Sequence, residues 1–156
     1  MQALVLDLRW NPGGLLEQAV EVCEKFLPRG ELVVTTEGRN AAQNSTRRAM
    51  GSGDMLDGMP MVVLVNIGSA SASEIVAGCL QDLKRSIVLG EKTFGKGTVQ
   101  DRVELSNGGG LHVTVGRWLT PSGSWIHEDG IAVDEEVSDN AETSEDEVLA
   151  QALQEL

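Results

Sequence analysis

The sequence is poor in basic residues and has no long hydrophobic run. Twelve Lys and Arg stand against 24 Asp and Glu, and the formal net charge of -12 would repel phosphate backbones and anionic lipid headgroups. No apolar stretch approaches the ~20 residues that cross a bilayer, and the first residues lack the basic start and cleavage site of a signal peptide. We therefore expect no nucleic-acid partner and no acidic membrane surface as a partner.

Cysteine and histidine are also scarce. Cys23 and Cys79 both lie in amphipathic helical patterns, at positions typical of small buried residues, so we expect free thiols rather than a disulfide. His112 and His127 share no ligand spacing with the cysteines. The sequence therefore argues against a structural or catalytic zinc site.

The apolar pattern predicts one α/β unit. At 156 residues and 41% hydrophobic, the chain can bury one core. Buried strands and amphipathic helices alternate and are followed by a β-hairpin, which predicts a mainly parallel sheet with flanking helices. We expect strands at 2–8, 31–36, 61–66 and 86–90, helices at 15–27, 74–83 and 147–156, a hairpin of 98–105 with 111–119, and an exposed polar insertion at 37–58.

Three small-residue loops each follow a predicted parallel strand, at 11–14, 68–73 and 91–97. The carboxyl ends of parallel strands meet at one edge of a sheet, so these loops should lie together. Ser71 and Lys96 would then be neighbours, although a helix and a strand separate them in the chain. This edge is where we expect chemistry.

A serine hydroxyl becomes a good nucleophile only when a base takes its proton, and neither histidine falls in these loops. A lysine can serve as that base if burial lowers its pKa to roughly 7 to 8. Lys96, flanked by glycines, is the candidate base for Ser71. The main-chain N–H groups of Gly14 and Ala72 are the natural donors to a developing oxyanion.

Each of these residues also has an ordinary structural interpretation. Ser71 and Glu74 match a helix-capping box, in which the serine only caps the helix. Lys96 could be a solvated loop lysine and Asp82 a surface carboxylate. Residues 11–14 could be only a turn.

A third interpretation is nucleotide binding. Gly90, Gly95 and Lys96 have the spacing of a phosphate-binding loop. However, Gly97 replaces the Ser or Thr that such a loop needs for magnesium, and 98–105 alternates like a strand where that loop must open a helix.

Four segments carry a resemblance to a known family. In order and spacing, LVLDLRWNPGG, MVVLVNIGSASASEIVAG, QDLKRSIVLGEKTFGKGTVQ and GRWLTPSG resemble the carboxyl-terminal processing proteases, also called tail-specific proteases. The resemblance implies that Ser71 is the nucleophile, Lys96 its base and Gln100 the residue that orients the lysine. It further implies a polar role near the site for Asp82, and an oxyanion hole formed by the N–H groups of Gly14 and Ala72.

The resemblance also implies what such a core does. Members are serine endopeptidases that cleave proteins with accessible apolar C-terminal tails through an acyl-enzyme, without metal or organic cofactor. They are usually exported to the periplasm, cell envelope or thylakoid lumen, and they share their fold in outline with Clp proteases and crotonases. We expect the catalytic core at 1–138 and an acidic linker with a terminal helix at 139–156.

Departures from the family keep a second function open. The PDZ domain that usually precedes these segments is not found in this sequence, and neither are the helices and strand before LVLDLR. An incomplete cleft could leave a catalytically weak core that binds peptides, and an open sheet edge could favour a homo-oligomer.

Overall fold

Two four-stranded sheets organise the computed structural model, which describes residues 1–56, 58–140 and 142–156. The strands are β1 (Leu4–Asp7), β2 (Leu32–Gly38), β3 (Ser45–Arg48), β4 (Met61–Val65), β5 (Ile87–Gly90), β6 (Thr98–Glu104), β7 (Gly110–Leu119) and β8 (Glu135–Glu136). The helices are α1 (Leu16–Cys23), α2 (Ala72–Asp82) and α3 (Glu147–Gln154).

The first sheet is parallel throughout, in the order β1-β4-β5-β8. Its central strand β4 is continuously apolar and buried along its whole length, as expected for a strand covered on both faces. The prediction of a parallel sheet built from strands near 2–8, 61–66 and 86–90 is confirmed.

The second sheet is antiparallel, in the order β3-β2-β7-β6, and the prediction of one mainly parallel sheet is wrong on this point. The predicted hairpin is present as β6 and β7, but β7 also pairs with β2, with Thr35 opposite Leu119. Alternating strands reveal their pairing partners poorly, because many partners satisfy the same half-exposed pattern.

The described part of the predicted polar insertion at 37–58, which leaves out residue 57, contains a strand that the sequence did not predict. This strand is β3, in which Thr46 lies opposite Thr35 of β2. A four-residue edge strand with the sequence STRR buries no residue fully and has no apolar period, so it lacked the signal that reveals a strand.

Helices α1 and α2 pack against each other, and the main apolar core lies among them and both sheets. Helix α1 ends at Cys23, before the predicted end at 27, although Phe26 and Leu27 stay buried in the turn that follows. Helix α2 begins at Ala72, slightly before the predicted start. Cys23 and Cys79 are free and buried, as expected, and a hydrogen bond with Cys23, together with burial, raises the pKa of the Cys79 thiol.

The terminal helix α3 covers the other face of the parallel sheet. Its Val148 and Ala152 are buried against Val62, Leu64 and Leu89. Its N-cap residue is tied to the segment that follows β1, because the guanidinium of Arg9 donates to both carboxylate oxygens of Asp146, at 2.8 and 2.7 Å. Among the described residues, no helix is long and apolar enough to cross a membrane.

Candidate active site

The three loops predicted to lie together do meet at the carboxyl edge of the parallel sheet. Hydrogen bonds join each loop to a neighbour: Ala70 N–H donates to Asn11 O at 3.0 Å and Phe94 N–H to Ser69 O at 3.0 Å, and Trp10 N–H donates to the side-chain Oδ1 of Asn66 at 2.9 Å. The buried Ser69 hydroxyl adds a 2.8 Å bond to Leu8 O. The edge is therefore built as one hydrogen-bonded unit.

Gly13 allows the first loop to approach Ser71 closely. Its φ is +95°, and a Cβ added there would lie 2.5 Å from Ala70 O, 2.8 Å from Ala72 N and 2.9 Å from Ser71 Cβ. Only glycine fits both the backbone conformation and this spacing. Gly14, by contrast, has open space where a Cβ would lie.

Ser71 occupies the sharp turn between β4 and α2. It is the N-cap of α2 and adopts φ +56°, which is uncommon for a residue with a side chain. Glu74 completes the capping box, since its Oε2 accepts the Ser71 N–H at 2.7 Å. Ser71 can cap the helix and still be accessible, because it is only half-buried and lines a cavity.

That cavity has a volume of about 260 Å³ and brings together five of the six predicted site residues. They are Ser71, Lys96, Gln100, Gly14 and Ala72. The Gly14 and Ala72 N–H groups donate to no atom of the described chain. For Ala72 this is expected, because the first N–H groups of a helix have no partner within the helix. One cavity is therefore lined by residues that carry a hydroxyl, an amine and unbonded main-chain N–H groups.

Asp82, the sixth predicted residue, does not line this cavity. It is the last residue of α2, and Ser71 caps the other end, so about 16 Å of helix separates them. Its Oδ2 accepts the Ser122 N–H at 2.8 Å. The role assigned to Asp82 by resemblance stays a prediction.

The loop that carries Lys96 is held in place by two tryptophans, which the sequence did not indicate. Trp118 Nε1–H donates to Lys96 O at 2.9 Å, and Trp125 Nε1–H donates to Gly97 O at 3.0 Å. The residues after Gly97 form β6 rather than a helix, so this loop lacks the helix N-terminus that a phosphate-binding loop requires.

Two further residues were missed in the sequence. His112 reaches the cavity from β7, because β7 pairs with the strand that carries Gln100. Glu74 was noted only as half of a capping box, yet its carboxylate also accepts N–H groups of Gly95 and Lys96. Only a signal for strand pairing or loop contact could have revealed either role.

A second, more apolar cavity of about 200 Å³ adjoins the first and shares Gly14, Leu15 and Ala72 with it. Its other apolar lining residues are Leu6, Leu8, Ala19, Val22 and Val76.

No group of three or more His, Cys, Asp or Glu side chains suited to a metal occurs among the described residues.

Comparisons with known proteins place the chain among the serine peptidases. It belongs to peptidase family S41, whose sequence profile matches residues 1–137. It is similar to a carboxy-terminal-processing protease of Bartonella bacilliformis, with 49% identity over 135 residues that make up 86% of this chain and 30% of that protein.

Other relatives agree. A carboxyl-terminal-processing protease of Synechocystis is 46% identical over 133 residues, covering 85% of this chain and 30% of the relative. The solved structure of a photosystem II D1 C-terminal processing protease matches 97% of this chain and 38% of its own, with a TM-score of 0.78 and 38% identity. The chain thus spans 30% of the length of both sequence relatives.

Proposed function

We propose that this chain carries the catalytic centre of a serine endopeptidase that cleaves proteins at or near their C-terminal tails. The observation that carries the proposal is the cavity that Ser71, Lys96, Gly14 and Ala72 line together. The family membership and the names of the relatives support the same reaction.

The proposed reaction proceeds through an acyl-enzyme. Ser71 Oγ attacks the peptide carbonyl carbon while its proton passes to the side-chain nitrogen of Lys96, and the oxyanion is held by the two main-chain N–H groups. The C–N bond then breaks as Lys96 delivers that proton to the leaving amine. Water attacks the ester, restores the Ser71 hydroxyl and releases the new carboxyl terminus. Gln100 is proposed to orient the lysine.

The apolar cavity beside the oxyanion donors supports a preference for apolar tails. It opens next to Gly14 and Ala72, where the residue preceding the cut bond would lie, and aliphatic side chains line most of it. We further propose an exported location, in keeping with relatives named as bacterial and chloroplastic processing enzymes. We also propose that the core shares its fold in outline with Clp proteases and crotonases.

The direct test is mass spectrometry of an unstructured protein, reduced and carboxymethylated α-lactalbumin, after incubation with the chain. Ser71→Ala and Lys96→Ala serve as variants, and Lys92→Ala, which changes an exposed lysine of the same loop, serves as the matched control. Cleavage should occur with the unmutated chain and Lys92→Ala and be lost in the other two.

Cleavage that persists in Ser71→Ala would contradict the proposal. Tail-peptide binding that survives Ser71→Ala, with no turnover in the unmutated chain, would favour a peptide-binding module instead. Sedimentation of the same samples tests the predicted homo-oligomer, for which β1 offers an outer edge that pairs with no other described strand.

A further inference from the structure

Glu74 is a buried carboxylate to which the proposed reaction assigns no task. Its exposed fraction is 0%, and it forms no ion pair with a described Lys, Arg or His. Burying an isolated carboxylate costs many kcal/mol unless other groups compensate for its lost hydration. The compensation at Glu74 is therefore informative about what the residue does.

Four hydrogen-bond donors converge on this carboxylate. Oε1 accepts the Thr93 hydroxyl and the Gly95 N–H, both at 2.6 Å. Oε2 accepts the Ser71 N–H at 2.7 Å and the Lys96 N–H at 2.9 Å. One oxygen atom thus binds the main-chain N–H groups of both residues that we propose as nucleophile and base.

Helix capping explains only one of these four bonds. A capping box requires the Ser71 N–H and nothing beyond the first turn of α2. The other three bonds go to residues 93–96, which are 19 to 22 positions further along the chain. The carboxylate therefore joins the start of α2 to the lysine loop.

The bond to Thr93 extends this connection. The Thr93 hydroxyl donates to Glu74 and accepts the Ile131 N–H at 2.7 Å, and all of these atoms are buried. The turn that carries Ile131 is thereby linked to the same carboxylate. The arrangement leaves the lysine loop few alternative positions relative to Ser71.

We propose that Glu74 is a positioning residue that sets the distance between Ser71 and Lys96 through their main chains, an inference that rests on the proposed function. It takes no part in proton transfer, because its oxygens bind main-chain and threonine donors. Its consequence is geometric: without it, the Ser71 turn at φ +56° and the Lys96 loop lose their common anchor.

The four partners make the residue type specific. An ionised carboxylate offers about four acceptor sites and no donor, whereas a glutamine amide replaces one oxygen with an NH₂ group. The glutamine oxygen would face Ser71 and Lys96, because it can then accept both of their main-chain N–H groups. The glutamine NH₂ group would then face the Gly95 N–H, and two donors cannot form a hydrogen bond with each other. Glu74→Gln, although nearly isosteric, should therefore displace the lysine loop.

The experiment compares labelling of Ser71 by a fluorophosphonate in the unmutated chain and in Glu74→Gln, with Ser71→Ala as the blank. We expect the maximal labelling rate of Glu74→Gln to fall about 100-fold, the loss typical of a misplacement near 1 Å. The probe concentration that gives half this rate should stay unchanged. A residue that acts only on stability would leave both quantities unchanged in the folded protein.

Thr93 supplies a milder pair of variants in case Glu74→Gln does not fold. Thr93→Ser keeps the hydroxyl, and Thr93→Val removes it with little change in volume. We expect labelling near the unmutated rate for Thr93→Ser and clearly slower labelling for Thr93→Val. Equal rates for this pair, or an unchanged maximal rate in folded Glu74→Gln, would overturn the proposal.

A readout that needs no activity separates this inference from the proposed function. Labelling of the unmutated chain no faster than that of Ser71→Ala would count against the peptidase reaction itself. Amide hydrogen exchange at Gly95 and Lys96 would then decide the role of Glu74. Faster exchange at these two amides in Thr93→Val than in Thr93→Ser, with equal melting midpoints, supports the anchor, and identical exchange overturns it.

Discussion

The indole of Trp118 donates its Nε1–H to the main-chain oxygen of Lys96 at 2.9 Å. The ring is 2% exposed, and the bond that it donates to Lys96 is partly buried. A core side chain on β7 thereby restrains the residue that we propose as the base.

Trp118→Phe should weaken this restraint while retaining most of the ring packing. We expect a loss of about 1 kcal/mol in the free energy of unfolding and a roughly fivefold slower labelling of Ser71. Trp125→Phe is the matched control, because it removes the same kind of bond one residue further along, to Gly97 O. An equal or larger effect of Trp125→Phe on labelling would show that the labelling rate does not depend specifically on the bond from Trp118 to Lys96.

Gly13→Ala should damage both the fold and the site. The added Cβ would lie 2.5 Å from Ala70 O, and φ +95° is strained for alanine. We expect a loss of roughly 2 kcal/mol or more in urea unfolding, together with slower labelling of Ser71. Gly14→Ala, which has open space at the same position, should unfold like the unmutated chain. Similar losses in both variants would refute this explanation.

The ion pairs of Arg9 should make the free energy of unfolding depend on pH in the acidic range. Hydrogen bonds from Arg9 hold the pKa values of Asp7 and Asp146 below their usual 3.8. Folded-state values below the unfolded ones mean that the stabilisation is complete above pH 3.8 and is lost as the pH falls through the lowered values.

Urea unfolding of the unmutated chain and of Arg9→Gln, followed from about pH 6 to about pH 2, tests this dependence. The difference in unfolding free energy should be constant above pH 3.8 and shrink below it. A difference that stays constant to the acid end would show that Arg9 stabilises through packing alone.

The two cysteines should be unreactive in the folded chain. Cys23 and Cys79 are 0% and 1% exposed, and the hydrogen bond between them, with burial, raises the pKa of the Cys79 thiol. Reaction with a disulfide reagent should therefore follow the rate of unfolding and become fast only in urea. Rapid reaction in native buffer would indicate that α1 and α2 separate locally.

Much of the site was accessible from the sequence, because it depends on local signals at strand ends. Ser71, Lys96, Gly14 and Ala72 could be grouped from the order of strands and small-residue loops, and the cavity joins them. Asp82 came from the family resemblance and not from these signals; it lies three turns of α2 from Ser71, does not line the cavity, and its role stays a prediction.

The sequence by itself determined the parallel sheet, whose continuous apolar strands have few ways to be buried, and the meeting of three loops at one edge. Only the tertiary structure decided that β2 pairs with β7, that two tryptophans hold the Lys96 loop, and that Glu74 joins Ser71 to Lys96. The physical reason is the distance along the chain between the interacting residues. Apolar periodicity in a short segment indicates which residues are buried. The hydrogen-bond partners of a buried polar group come from distant segments, and no local sequence pattern predicts which segments these are.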